Sequence, residues 1–431
     1  MRESHGPAKH GKAKASFATF IDALVLHALS SDGSLGAHLR MLTGSSISDS
    51  ATQQRRASLD WSWFEALFAH LLRPLAKLRR HPECFYGGMR LLAVDGSSWS
   101  LVNTPQVTSR LASPSNQKGQ PGAFPKFMSA VLIELGTHQP LGAQCEQAVA
   151  AHATGEITLA KTLLGQLPAG EPSLLLADRL YGGAGFIHAV RKCSEEHCQV
   201  LVRVIENRKA RVLEVLSDGS ALVEVMLEDK SRRKQERKAL RLREIRAEVR
   251  CEGEGKKSQL RLWTTLLNEH QHPATELARL YTQRWEAELF FRELKTHTRR
   301  DNLMRAGSIE GAQAEFGALI LAASLLAAQR LELAEQEELP AVRLSIRKIA
   351  RHMQQAALVL SLSHDLMSGA QQRTFIRRFE KMIRREAQIP PRRQRSCPRG
   401  LRKPTASWPR IRQRHEAHGS YLLTILPSSF P

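Results

Sequence analysis

The sequence has few of the features that mark secreted or membrane proteins. It contains only six cysteines in 431 residues, scattered without framework spacing, and 6% aromatic residues. The longest apolar run, Phe316 to Ala328, is broken by Ser324 and is too short to span a bilayer, so it predicts a buried core helix. The polar N-terminus has no signal-peptide apolar region. These absences argue against a disulfide scaffold and favour reduced thiols in a cytoplasmic protein.

Acidic residues are also scarce relative to basic ones. The chain has 63 Lys and Arg against 42 Asp and Glu, a formal charge of +21 and a pI near 10.2. From Ala341 to Pro431 there are 19 basic and 4 acidic residues, so about +15 lies in this last segment. Such an excess predicts a polyanionic partner, bound in a salt-dependent way. Binding to an anionic membrane surface is the competing interpretation, and we expect no membrane partner.

The first part of the chain predicts helices. A basic arm, residues 1–15, precedes a helix from Ser16 to Leu29 with Ser16 as its N-cap. Helices at 35–43 and 48–57, separated by Gly44, fit a helix-turn-helix, although many helical bundles that never touch DNA share this pattern. A further amphipathic helix is predicted from Trp61 to Arg79.

From Arg90 onward the pattern changes to strands mixed with helices. Apolar strands are predicted at 90–95, 127–135, 139–150 and 173–178, with helices at 157–167 and 185–193, which favours an α/β core. Residues 212–227 then alternate as a hairpin, with Asp218-Gly219 at its turn. A long helix from Pro273 to Thr298 and a core helix from Gly311 to Gln329 follow. A basic helical segment and a Pro/Arg-rich tail that we expect to be disordered end the chain.

The segment YTQRWEAELFFRELK, Tyr281 to Lys295, carries the clearest functional pattern. Tyr281, Arg284, Glu288 and Lys295 are separated by 3, 4 and 7 residues, so on an α-helix they fall within an arc of roughly 60°. A hydroxyl, two cations and a carboxylate on one face suit a metal ligand beside phosphate-binding groups. The alternative is a solvated face with an ordinary ion pair between Arg284 and Glu288, four residues apart.

Two aspartates follow predicted buried strands. Asp95 ends RLLAVD and Asp178 ends SLLLAD, positions from which side chains emerge at the carboxyl edge of an α/β sheet. Together with Glu288 they could hold two magnesium ions about 4 Å apart, a site for in-line phosphoryl transfer. A single Asp at a strand end can equally be a turn former or helix cap, so the three acids matter as a set.

These motifs resemble those of bacterial DDE transposases of the insertion sequence 4 family. LLAVDGSSWSLVNTP resembles the first-aspartate motif, LLLADRLYGG the second, and YTQRWEAELFFRELK the Tyr-x2-Arg-x3-Glu-x6-Lys signature. GAFPKF (122–127), GEITLAKTLL around Glu156, and residues 303–322 are further similar segments. The resemblance covers about Leu35 to Arg330. Where the family has Gly, this chain has Leu180, which affects the turn after Asp178.

The resemblance implies an α/β fold: an RNase H-like catalytic core with a β-rich insertion, flanked by an N-terminal helical domain and a basic helical C-terminal region. The corresponding domain boundaries are 1–85, 86–330 with the insertion at 206–267, 331–390, and a tail at 391–431. It implies Asp95, Asp178 and Glu288 as catalytic, metal-binding residues for two Mg²⁺ ions, with Mn²⁺ able to substitute. It also implies DNA phosphate contacts by Tyr281, Arg284, Lys295 and, beside the second aspartate, Arg179.

The implied activity is metal-dependent cleavage at transposon ends and strand transfer of the 3′-OH into target DNA. The partners would be terminal inverted repeats and target DNA, bound by a homodimer. The alternatives are a nuclease of the same core without strand transfer, and a non-catalytic DNA-binding remnant. In some relatives a Trp of the insertion stacks on a flipped base; in this chain Trp263 fits a core strand better, and Trp285 is likewise predicted to pack.

Overall fold

A computed structural model of the chain describes residues 15–30, 33–44, 46–111, 113, 122, 124–146, 155–227, 239–251, 257–298, 303–363, 366–389, 400–401, 410–411 and 421–425. The predicted basic arm and most of the predicted tail therefore lie outside the described residues. The helices are α1 (Phe17–Leu29), α2 (Leu35–Thr43), α3 (Asp49–Ala57), α4 (Trp61–Leu71), α5 (Pro105–Thr108), α6 (Glu156–Thr162), α7 (Ala184–Cys193), α8 (Ala274–Tyr281), α9 (Trp285–Arg292), α10 (Ile309–Glu335), α11 (Ile346–Leu362) and α12 (Gly369–Ala387). The strands are β1 (Phe85–Tyr86), β2 (Met89–Leu101), β3 (Lys126–Glu134), β4 (Gln139–Cys145), β5 (Ser173–Ala177), β6 (Cys198–Arg203), β7 (Arg211–Val215), β8 (Ala221–Met226), β9 (Ala239–Cys251), β10 (Lys257–Thr264), β11 (Leu303–Met304), β12 (Gly400–Leu401), β13 (Arg410–Ile411) and β14 (Tyr421–Ile425).

The chain forms a mixed α/β fold that divides into two compact units. Unit 1 comprises residues 1–175, 189–198 and 284–388, and unit 2 comprises residues 176–188, 199–283 and 389–431. Neighbouring strands within each unit run mostly antiparallel, whereas β11 pairs with β2 in parallel.

Unit 1 is built on an antiparallel sheet in the order β4-β3-β2, with β1 and β11 also paired to β2. The strand that carries Asp95 is longer than the sequence predicted. β2 continues to Leu101, because the small residues after Asp95 pair one by one with β3, from Gly96 opposite Ala130 to Ser100 opposite Lys126. Asp95 therefore lies in the middle of a strand and not at its end.

The core of unit 1 lies where α10 packs against β4 and against the helices α1, α3 and α4. The ring of Phe316, on α10, lies 5.9 Å from Trp99 and 6.0 Å from Trp61. This helix is long and apolar enough by composition to cross a membrane, but 83% of its most apolar window is buried inside the protein. The buried core helix predicted here is confirmed, although it extends from Ile309 to Glu335. The predicted helix from Trp61 to Arg79 ends at Leu71, shortly before Pro74, which limits continuation of the helix.

Unit 2 contains an antiparallel sheet in the order β6-β10-β9-β8-β7, and β14 adds to β9. The predicted hairpin is confirmed: Asp218-Gly219 connects β7 to β8, and Gly219 has a φ of +81°, which a residue with a Cβ rarely adopts. β14 falls in a segment that the sequence predicted to be disordered. Trp263 is fully buried and its Nε1 donates to Glu244 Oε2 at 2.8 Å, so the core position predicted for it is confirmed.

Candidate active site

The predicted helix from Pro273 to Thr298 is not a single regular helix. α8 ends at Tyr281, a 3₁₀ turn covers Thr282–Arg284, α9 follows, and Glu293–Thr298 is a π-helix. The number of residues per turn thus changes along the segment, and the constant 100° step used to place four residues on one stripe does not hold throughout it.

Within unit 1, Asp95 and Glu288 lie on elements that pack together. Asp95 is on β2, and Glu288 is on α9, which packs against β2. Asp95 is half-buried, and its Oδ1 accepts a hydrogen bond from the following Gly96 N at 3.0 Å. Arg284 NH2 donates to Glu288 Oε1 at 2.6 Å, as the four-residue spacing predicted. Carboxylates of this kind are the oxygen ligands that Mg²⁺ prefers, so the donor set fits the ion, which would share Glu288 with the Arg284 guanidinium.

The other two acids between Tyr281 and Lys295 have a structural role. His138, buried and in a left-handed backbone conformation with φ of +59°, contacts Glu286 Oε2 at 2.9 Å and Glu293 Oε2 at 2.8 Å. Arg330 adds an ion pair to Glu293 at 3.1 Å. Burial alone would lower the pKa of His138, but the charge of Glu293 and hydrogen bonds to both carboxylates raise it. This cluster fixes the position of α9. Glu288, the other acid of α9, takes no part in the cluster.

Lys295 lies on the same face of β2 as Asp95. Its Nζ donates to Ser97 Oγ at 2.7 Å and to Ser98 O at 2.8 Å, and it sits 4.8 Å from the centre of the Trp99 ring. Alternate side chains of a strand share a face, so Asp95, Ser97 and Trp99 project together, and Ser97 is about 7 Å along the strand from Asp95. Burial, and then the charge of Lys126, lowers the pKa of Lys295.

Two residues that contact β2 were not among the predicted site residues. The Glu156 side chain, at the start of α6, lies against Gly96: a Cβ at position 96 would come within 2.3 Å of its Cδ. Lys126 Nζ donates to Ser100 Oγ at 2.8 Å. Both belong to segments that resemble the family, GEITLAKTLL and GAFPKF, which is the signal that could have marked them.

Unit 2 holds the second aspartate with Arg179 and Tyr281. Asp178 follows β5, and its Oδ1 accepts from Arg179 N at 2.7 Å, so it caps the 3₁₀ turn Arg179–Tyr181. Tyr281 is buried, and its hydroxyl donates to Ala177 O at 3.2 Å, next to Asp178 in the chain. The Arg179 side chain is exposed, and Leu180, 46% exposed, is accommodated at the surface of this turn.

The predicted residues thus divide between the two units: Asp95, Arg284, Glu288 and Lys295 belong to unit 1, and Asp178, Arg179 and Tyr281 belong to unit 2. Among the residues that the structure describes, no three His, Cys, Asp or Glu side chains are grouped closely enough to hold one metal ion. Trp285 was predicted to pack, but it is 53% exposed, so that prediction is wrong. It precedes Ala287, Phe290 and Phe291, which form the buried face of α9.

Comparison with known families identifies the core. The transposase DDE domain family matches residues 86–325, more than half of the chain. The protein belongs to this family.

Among curated relatives, the transposase InsG for insertion sequence element IS4 of Escherichia coli (strain K12) is 25% identical over 295 residues, which cover 67% of this chain and 62% of InsG. InsZ of the same strain is 26% identical over 156 residues, 36% of this chain and 46% of InsZ. The chain therefore spans less than two thirds of the length of either relative. A cryo-EM structure of the piggyBac transposase synaptic complex with hairpin DNA aligns with a TM-score of 0.44 at 11% identity, over 89% of this chain and 79% of that one.

Proposed function

We propose that the protein is a DNA transposase that cleaves DNA at the ends of an insertion sequence and joins the freed 3′-OH to target DNA. The observation that carries this proposal is the arrangement on β2 and α9, within the family-matched region: Asp95 and Lys295 on one face of a strand, with Glu288 on the helix packed against it. An acid on β2 and a cation bound to Ser97, two residues further along the same strand, suit a reaction at a phosphodiester, which needs both a metal-binding group and a phosphate-binding group.

Asp95, Glu288 and Asp178 are the residues that would hold two Mg²⁺ ions in an RNase H-like core. Bound there, the ions would supply charge neutralisation at the attacking and leaving oxygens, and Mn²⁺ would substitute. In strand transfer the 3′-oxygen forms a bond to phosphorus and the bond to the target strand's 3′-oxygen breaks. The attacking hydroxyl loses its proton and the leaving oxygen gains one, so no external energy source is needed.

The protein's own cations would position the scissile phosphate. Lys295 is held by two hydrogen bonds and an aromatic ring, so little conformational freedom remains to be lost when a phosphate binds. Arg284 lies on the same helix turn as Glu288 and would turn from that carboxylate to a phosphate oxygen. Arg179 and Tyr281 complete the proposed DNA contacts, and a homodimer would hold two ends together.

The Asp95→Asn variant tests this function. A plasmid carrying the reading frame with its native flanking DNA, incubated with protein and Mg²⁺, should be nicked at the ends of short inverted repeats and yield joined products. Asp95→Asn should reduce cutting by about a thousandfold or more while binding is retained. The matched control, Asp49→Asn, removes an exposed carboxylate at the start of α3 and should cut normally.

Unchanged cutting by Asp95→Asn would refute the assignment of the site. Cutting without any joined product would indicate a nuclease, and tight binding without metal-dependent product would indicate a non-catalytic remnant.

A further inference from the structure

The helix α12 is amphipathic, and its apolar side is fixed on α11. The ring of Phe379 lies 5.7 Å from that of His352 on α11, Phe375 lies 5.6 Å from Phe379, and Ile383 is buried. His352 Nε2 also contacts Glu386 at 2.9 Å. A Ser368 capping box starts the helix, so its position and its rotation about its own axis are both defined.

On the opposite side of α12, every charged side chain is basic. At 100° per residue, all six basic side chains fall within an arc of about 140°. The two acidic residues of the helix, Glu380 and Glu386, fall outside this arc, on the side of the packed residues. We refer to the six as the basic stripe: Arg373, Arg377, Arg378, Lys381, Arg384 and Arg385.

The basic stripe is exposed and largely without counter-charges. All its members except Arg384 are exposed, and Arg384 lies 3.5 Å from Glu337. Within the described part of the chain, none of the other five has a carboxylate within ion-pair distance. Like charges four residues apart, as at positions 373, 377, 381 and 385, weaken a helix, and an anionic partner would remove that repulsion.

The dimensions of the basic stripe match a nucleic-acid backbone. From Arg373 to Arg385 the helix rises about 18 Å, with successive cations about 6 Å apart. One strand of duplex DNA carries a charge every 3.4 Å along its axis, so the stripe faces about five phosphates. The arc contains no aromatic side chain on which an unpaired base could stack, which disfavours a single strand. Phe379 lies against His352 of α11, Phe375 packs on Phe379, and Ile383 is buried, so these three apolar side chains are not presented to a lipid surface beside the basic stripe.

We propose that α12 docks the backbone of duplex DNA without reading its sequence, as a second contact in addition to the site around Asp95. This inference rests on the proposed function only in taking DNA as the polyanion. Arginine and lysine contacts to phosphates supply affinity and register, while sequence is read by contacts to base edges.

The test compares two triple variants of the full-length protein with equal loss of charge. The docking variant is Arg373→Gln/Arg377→Gln/Lys381→Gln, and the control is Lys77→Gln/Arg79→Gln/Lys192→Gln, three exposed cations elsewhere in unit 1. Glutamine keeps a high helix propensity, so both variants should give wild-type circular dichroism and unfolding midpoints. The dissociation constant for a random-sequence duplex of about 30 base pairs is measured by fluorescence anisotropy across a range of NaCl concentrations.

The slope of log affinity against log salt should become shallower by about 2 to 3 in the docking variant, because each lost phosphate contact removes about 0.9. The control should change it by less than about 0.5. Equal slopes in the two variants would overturn the proposal. The proposal would also be overturned if the docking variant lost affinity only for single-stranded DNA of the same length, or only for phosphatidylserine vesicles. Asp95→Asn should keep the wild-type slope, so a failure of the catalytic assignment and a failure of the docking helix give different results.

Discussion

Replacing Gly96, the residue after Asp95 in the chain, by alanine tests the contact between β2 and the Glu156 side chain. The new Cβ would lie 2.3 Å from both Cγ and Cδ of Glu156. Carbon atoms approach to about 3.5 Å at best, so the overlap is about 1.2 Å. Gly96 does not have a positive φ, so alanine causes no backbone strain and the cost is steric.

The size of the effect follows from how freely Glu156 can move. Its helix, α6, packs on β2 and β3, so the backbone is held and the side chain must rotate away from position 96. Overpacking of this kind costs about 1–3 kcal/mol in the free energy of unfolding. In a Glu156→Ala background Cγ and Cδ are absent. The same Gly96→Ala change should then be neutral or stabilising by up to about 1 kcal/mol, because alanine restricts the unfolded chain.

Urea unfolding of the wild type, both single variants and the double variant measures this coupling. Gly165→Ala serves as the control, because no atom lies within 4 Å of a Cβ built there and its φ is not positive. The reasoning would be refuted if Gly96→Ala lowered the free energy of unfolding by the same amount in the wild type and in the Glu156→Ala background.

The two clusters that hold α9 and Lys295 give further predictions. The pKa of His138 is raised by Glu293 and Glu286 against the effect of burial, so its stabilisation is full below about pH 6.5 and is lost as pH rises through the folded-state pKa. The His138→Gln variant should therefore have a lower free energy of unfolding than the wild type, with the largest difference near pH 6 and a small one near pH 9. A difference that does not change with pH would contradict this. Lys126→Gln removes the charge that, after burial, lowers the pKa of Lys295. The Lys295 pKa, followed by NMR of ¹³C-methylated lysines, should rise, and an unchanged value would show that the two ammonium groups do not interact.

Local sequence patterns predicted the short-range features of this protein well. The four-residue spacing of Arg284 and Glu288 gave an ion pair, and Asp218-Gly219 gave a hairpin turn. Both depend on neighbours within one turn of chain, where spacing and backbone preference decide the structure. Trp263 could be placed because an apolar alternating strand surrounds it.

The sequence-based predictions failed or were incomplete where the structure depends on contacts between residues far apart in the chain. The predicted strand ended at Asp95, but pairing with β3 extends it through the small residues Gly96 to Ser100. The partner of the Tyr281 hydroxyl was not predicted either: it donates to Ala177 O, over a hundred residues away in the chain. No periodicity in a single segment encodes such partners.

Lys295 shows how a predicted site residue can be positioned by contacts that the geometric argument did not use. A uniform helix would put it in line with Glu288, but the segment becomes π-helical at Glu293, so the spacing alone does not fix its direction. Its ammonium is placed instead by Ser97, Ser98 and Trp99, residues of the strand that also carries Asp95. Partial burial of an ammonium is unfavourable, and these contacts offset that cost without a carboxylate, which would neutralise the charge. The cation therefore remains available to a phosphate, at a position set by β2 rather than by the helix on which the sequence motif was recognised.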